Sequence, residues 1–126
     1  MVAAFATWHF AHEAALDVVQ SSPTLPGHAG LEAYSVLTRL PPPHRANKDD
    51  VRAFLTRTFP GEWLVLPGKA VALLVEEFAQ RGIYGGATYD GLIGATARAA
   101  GAVLHTCDRR ARLVYERLGV EVRFVG

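Results

Sequence analysis

The chain has 126 residues, half of them hydrophobic and a fifth charged, with a formal net charge of +1. That length suits one domain, residues 1–126, with a core of its own, and no apolar run reaches the roughly 18 residues of a membrane span. Cys107 is the only cysteine, which excludes an internal disulfide, and near-neutral charge singles out no polyanionic partner.

The opening MVAAFATWHFAHEAA carries no basic stretch, and His9, His12 and Glu13 interrupt it early. It makes a poor signal peptide, so a cytoplasmic location without membrane contact is expected. Residues 3–20 read as one helix, with Phe5, Trp8, Ala11 or His12, Ala15 or Leu16, and Val19 on one face. Ser21, Ser22 and Pro23 end it. A second helix is expected over 28–40, with Leu31, Tyr34, Leu37 and Leu40 on one side, stopped by Pro41, Pro42 and Pro43. Asn47 can cap a third helix over 48–58. Trp63 to Leu66 reads as a short strand, and Pro67 can open a helix over 67–81 that Gly82 closes. The Gly-rich connection 82–88 lacks the GK[ST] ending of a phosphate-binding loop. Then come a helix over 88–100, a strand over 102–106, a helix over 109–118 closed by Gly119, and a strand over 120–125. The second half thus alternates β-α-α-β-α-β, the pattern of a parallel sheet with helices on its faces.

Two carboxylates stand out in YDGLIGATARAAGAVLHTCDRRAR, residues 89–112. Helix 88–100 advances roughly 18–20 Å at about 1.5 Å per residue. The strand after it returns roughly 17 Å at about 3.3 Å per residue. Asp90 and Asp108 are therefore expected at the same edge, the carboxyl end of the strands, where open α/β sheets bind ligands. Glu32 joins them if its helix also runs back from that edge. Carboxylates about 5 Å apart repel by a few kcal/mol per pair at an effective dielectric near 20. A divalent cation would relieve that repulsion, and an oxygen-only site suits Mg²⁺ or Mn²⁺.

A plainer reading stands beside each acid. Asp90 and Glu32 near helix starts favour the macrodipole without any ligand, and Asp108 can simply cap the helix that begins at Arg109. Arg109 and Arg110 either meet phosphate or form a solvated first turn. His9, His12 and Glu13 share helical spacing but lack the H-E-x-x-H pattern, which makes them surface or groove residues. His105 and Cys107 flank Thr106 without a second base, so packing is the simpler role.

Three segments, GLEAYSVLTRLPPPHR, GGATYDGLIGATARAAGAVLHTCDRRA and LGVEVRFV, resemble in order the PIN domain of VapC-type toxins from bacterial toxin–antitoxin pairs. The resemblance implies a three-layer α/β/α fold around a parallel sheet. It implies Mg²⁺- or Mn²⁺-dependent endonucleolytic cleavage of RNA. It makes Glu32, Asp90 and Asp108 metal-site acids, with Thr106 the hydroxyl beside the last. It also implies a homodimer and a cognate VapB-type antitoxin. The family's opening strand, apolar residues ending in Asp-Thr/Ser-Ser, has no counterpart here, and Asp17 is too late in its helix to replace that acid. The resemblance therefore leads one to expect an N-terminally truncated domain whose sheet lacks its central first strand. A non-catalytic remnant that dimerises or titrates antitoxin is the alternative to an active ribonuclease.

Overall fold

Helix by helix, the chain shows which local signals decide its structure. A computed structural model describes all of residues 1–126. The chain packs as two compact units: Met1–Trp63 with Val125–Gly126, and Leu64–Phe124.

The first unit holds four helices: α1 (Val2–Phe5), α2 (His12–Gln20), α3 (Gly27–Arg39) and α4 (Lys48–Thr58). The single helix expected over 3–20 is broken in two. At the break the backbone makes tight i→i+3 bonds, His9 N to Ala6 O and His12 N to His9 O, both 3.0 Å. His9 Nδ1 accepts from Ala11 N at 3.1 Å, and His12 Nδ1 donates to Ala3 O at 2.8 Å. Both imidazoles take over backbone partners that a continuous helix would have used itself. α4 follows the sequence closely because Asn47 Oδ1 accepts from Asp49 N at 2.8 Å, a true N-cap.

α3 buries a face different from the one the large residues suggest. Ala29, Gly30, Ala33 and Leu37 are buried, whereas Leu31 and Tyr34 are exposed. Small side chains allow close approach: a Cβ on Gly30 would lie 2.5 Å from Trp63 Cζ3. The Trp63 indole is held there by Nε1 donating to Phe59 O at 3.2 Å. Phe5 meets Phe54 edge-on at 5.3 Å. Behind α3 the proline turn ties back to the helix it ends. Ala46 N donates to Leu37 O at 2.9 Å, and Arg45 Nε donates to Leu40 O at 2.9 Å.

The second unit runs α5 (Gly68–Arg81), α6 (Ala87–Ala99), β1 (Leu104–Thr106), a 3₁₀ turn over Arg109–Ala111, α7 (Arg112–Leu118) and β2 (Val122–Phe124). β1 and β2 pair in parallel, with Leu104 opposite Val122 and Thr106 opposite Phe124. The fold is thus mixed α/β, mostly helical, with a small parallel sheet. Over 63–66 only an isolated β-bridge at Leu64 forms, not a strand: Trp63 packs on Gly30, and Val65 is left exposed. β propensity needs a partner ladder, and this run puts its largest side chain into helix packing instead.

Glycines set the spacing in the second unit. A Cβ on Gly91 would lie 2.7 Å from Phe78 Cζ, and one on Gly94 would lie 2.9 Å from Tyr115 Cδ1. α6 therefore approaches α5 through Gly91 and α7 through Gly94. Gly82 and Gly119 close α5 and α7 in the left-handed region, φ 67° and 69°, as the sequence suggests. Polar bonds then lock the three helices. Arg98 donates to Glu77 Oε1 at 2.7 Å and Oε2 at 2.8 Å, and to Leu118 O at 3.0 Å. Arg81 donates to Glu77 Oε2 at 2.9 Å and to Arg117 O at 2.6 Å.

Candidate functional site

Thr106 is the last residue of β1, and the chain turns immediately after it. Asp108 N donates to Thr106 Oγ1 at 3.0 Å, which fixes the turn. Asp108 Oδ1 in turn accepts from Arg110 N at 2.9 Å and lies 3.3 Å from Arg110 Nε. Asp108 thus caps the 3₁₀ turn over Arg109–Ala111, as its plainer reading anticipates. Capping does not exhaust it: an ionised carboxylate offers about four lone-pair sites.

Asp90 lies in the first turn of α6 and is half-buried. It belongs to the same unit as Thr106 and Asp108. Glu32 belongs to the other unit, on an exposed part of α3, with Oε2 3.4 Å from His28 Nε2. Thr106 and Asp108 are therefore joined directly by a hydrogen bond. Within neither unit do three His, Cys, Asp or Glu side chains gather closely enough to hold a metal ion. By chemistry the sequence-derived set is uniform: three carboxylates and one hydroxyl, all hard oxygen donors of the kind Mg²⁺ and Mn²⁺ take.

The cations around Asp108 divide by environment. Arg109 and Arg112 lie over the Phe124 ring, at 5.2 and 5.9 Å from its centroid. Arg112 Nε also meets Glu116 Oε1 at 2.7 Å. Arg110 extends into solvent. Cys107, between Thr106 and Asp108, is a free, half-buried thiol.

One charged pair escaped the sequence reading. The Arg98 guanidinium beside Glu77 holds that carboxyl below the usual carboxylate range, against the opposing effect of burial; the Arg81 charge adds to the lowering. Glu77 in turn raises Arg98 above the ordinary arginine value. The Glu77–Arg81 spacing of four residues is visible in the sequence. The partner 21 positions away is not, because no local period links the two helices.

Two ribonucleases of Mycobacterium tuberculosis are similar to this chain. Ribonuclease VapC40, found in strains CDC 1551 / Oshkosh and H37Rv, is 49% identical over 125 residues, spanning 99% of this chain and 93% of that protein. Ribonuclease VapC27 of strain H37Rv is 40% identical over 120 residues, 95% of this chain and 80% of that protein. No family model matches the chain. No solved structure matches it. An identity of 49% sustained along nearly the whole of both sequences settles the kinship that the three sequence segments suggested: the chain belongs to the VapC family of PIN-domain ribonuclease toxins.

Proposed function

We propose that the protein is an endoribonuclease toxin that hydrolyses RNA phosphodiesters with the help of Mg²⁺ or Mn²⁺. A VapB-type antitoxin is its inhibitor, and it acts as a homodimer in the cytoplasm. The observation that carries this reading is the 49% identity to a protein named a ribonuclease, spanning 99% of the chain.

The residues fit the proposed cation by donor chemistry. Asp90 and Asp108, which share one unit, would hold it, both through oxygen. When bound, such a cation neutralises phosphate charge and lowers the pKa of an attacking water. The chain's own contribution is placement. Thr106 Oγ1 accepts the Asp108 N–H and so fixes the turn on which that carboxylate stands. The Asp108 cap orients the carboxylate further through Arg110 N. Asp90 stands on α6, whose Gly91 and Gly94 contacts leave the helix little freedom to shift.

The test is cleavage of a labelled RNA hairpin by purified protein, with Mg²⁺ and with EDTA. Cleavage is expected with the cation alone, and Asp108→Asn or Asp90→Asn should each abolish it. Undiminished cleavage by both variants would end the assignment of these acids. A wild-type protein that binds antitoxin but never cuts RNA would be the non-catalytic remnant instead.

A further inference from the structure

Three arginines fall within four residues just beyond β1: Arg109, Arg110 and Arg112. The macrodipole disfavours cations at the start of a helical segment, so each needs another reason to be there. Arg109 and Arg112 have one inside their own unit, the Phe124 ring that both guanidinium groups cover. A cation on an exposed aromatic face gains about 0.5–1 kcal/mol, and Arg112 adds its pair with Glu116.

Arg110 lacks such a reason. Its side chain is 93% exposed, and its head is held only through Nε, 3.3 Å from Asp108 Oδ1. Both Nη groups remain without a protein partner. An exposed pair of this kind is worth little to stability. What it does achieve is orientation. The same carboxylate oxygen takes the Arg110 backbone N–H at 2.9 Å. Main chain and side chain of Arg110 are thereby both referenced to Asp108. The guanidinium fork stands beside that carboxylate with its outer N–H donors turned to solvent. Such a fork matches two phosphate oxygens at once, which a lysine cannot do.

We propose that Arg110 binds a backbone phosphate of RNA next to Asp108 and so holds the strand in register against that carboxylate. The assignment rests on the ribonuclease reading and names one residue through which the substrate is held. It separates Arg110 from its neighbours: Arg109 and Arg112 shape the surface through Phe124, and Arg110 meets the ligand.

Binding without divalent metal isolates this role from catalysis. A fluorescein-labelled RNA hairpin is titrated in EDTA over a series of salt concentrations. Wild type, Arg110→Ala, Arg110→Lys and Arg57→Ala are compared, the last an exposed arginine on α4. Arg110→Ala should weaken binding roughly tenfold, the loss of one charge-assisted contact. It should also reduce the salt slope by about one unit or slightly less. Arg110→Lys should keep the slope while recovering only part of the affinity, because the charge is retained and the fork is lost. Arg57→Ala should change neither. All four should melt alike, since Arg110 and Arg57 are exposed. Equal losses for Arg57→Ala and Arg110→Ala would reduce the effect to general charge and overturn the assignment, as would an unaltered slope for Arg110→Ala. A wild type that does not bind the hairpin would overturn it too. A wild type that binds but never cleaves when Mg²⁺ is restored would defeat the ribonuclease reading alone. One that cleaves while Arg110→Ala binds normally would defeat the Arg110 assignment alone.

Discussion

The sequence presents two rival roles for Asp108, helix cap and metal ligand, and the structure shows the first. Its carboxylate caps the 3₁₀ turn, and a capping carboxylate still has lone pairs to offer. The two roles separate by substitution, because asparagine caps as well as aspartate but carries no charge. Asp108→Asn should therefore keep the melting temperature of wild type, or raise it slightly, while RNA cleavage disappears. Asp108→Ala should lose cleavage and also about 1 kcal/mol of stability. Thermal melts beside a cleavage assay decide the matter; a melt lowered equally by both variants would mean the charge, not the cap, is what the fold uses. At this scale the sequence was most informative where chemistry is local. Thr106 and Asp108 are two residues apart, and their hydrogen bond needs no distant partner. Glu32 is the opposite case. Its position after a glycine and a leucine near a helix start is legible, but its exposed setting and its His28 neighbour depend on how α3 is rotated. That rotation is set by Ala29, Ala33 and Leu37 rather than by the larger Leu31 and Tyr34.

Elements were legible in proportion to how completely their ends are written in the chain. α4 has its asparagine cap and α5 its closing glycine, and both formed with ends near those expected. The α1–α2 break was hidden because histidine side chains, not prolines or glycines, make it. The strand expected over 63–66 is reduced to a single bridge at Leu64, because a strand needs a run of paired neighbours and periodicity cannot supply one. α6 illustrates packing that a sequence shows only as a puzzle: glycines at 91 and 94 inside a helix. Gly→Ala inside a helix normally gains up to about 1 kcal/mol. At Gly91 the added methyl would press on three Phe78 ring atoms at 2.7–3.2 Å, and overpacking costs about 1–3 kcal/mol. The steric cost should win. Gly91→Ala is expected to lower the denaturant midpoint by an amount equivalent to about 1–2 kcal/mol. Gly68→Ala, whose new methyl would meet nothing within 4 Å, should leave the midpoint unchanged or raise it. A more stable Gly91→Ala would show that Phe78 swings aside freely and that α6 does not need its glycine.

For the molecule as a whole, kinship was legible because it is carried by contiguous segments, whereas the partition into units was not. The last residues of the chain show why. Gly126 lies against Ala11, so close that a Cβ would come within 2.7 Å of the alanine methyl. Val125 and Gly126 thereby belong with Met1–Trp63, a contact that no local pattern announces. The same kind of long-range contact governs how stability should respond to pH. Glu77 joins α5 to α6 through Arg98, and Arg98 reaches α7 through Leu118 O. The folded state holds the Glu77 carboxyl below its ordinary value, first through the Arg98 hydrogen bonds. Unfolded chains protonate this group near about 4.3. Its stabilisation is therefore complete above that value and is lost as the pH falls through the lowered folded value. The Arg98 shift is upward from an already high value, so its own loss would begin only in strong alkali. Both side chains keep partial exposure, 24% and 35%, so solvent screening reduces the pair from the 3–5 kcal/mol of a fully buried one to about 1–2 kcal/mol. Glu77→Gln should lower stability near neutral pH by that amount. It should also flatten the fall in melting temperature as the pH drops below the ordinary glutamate value of about 4.3, because the variant has no proton to bind there. A variant whose melting curve keeps the wild-type slope across that window would place the acid sensitivity in other carboxylates and reduce Glu77 to a neutral strut between the helices.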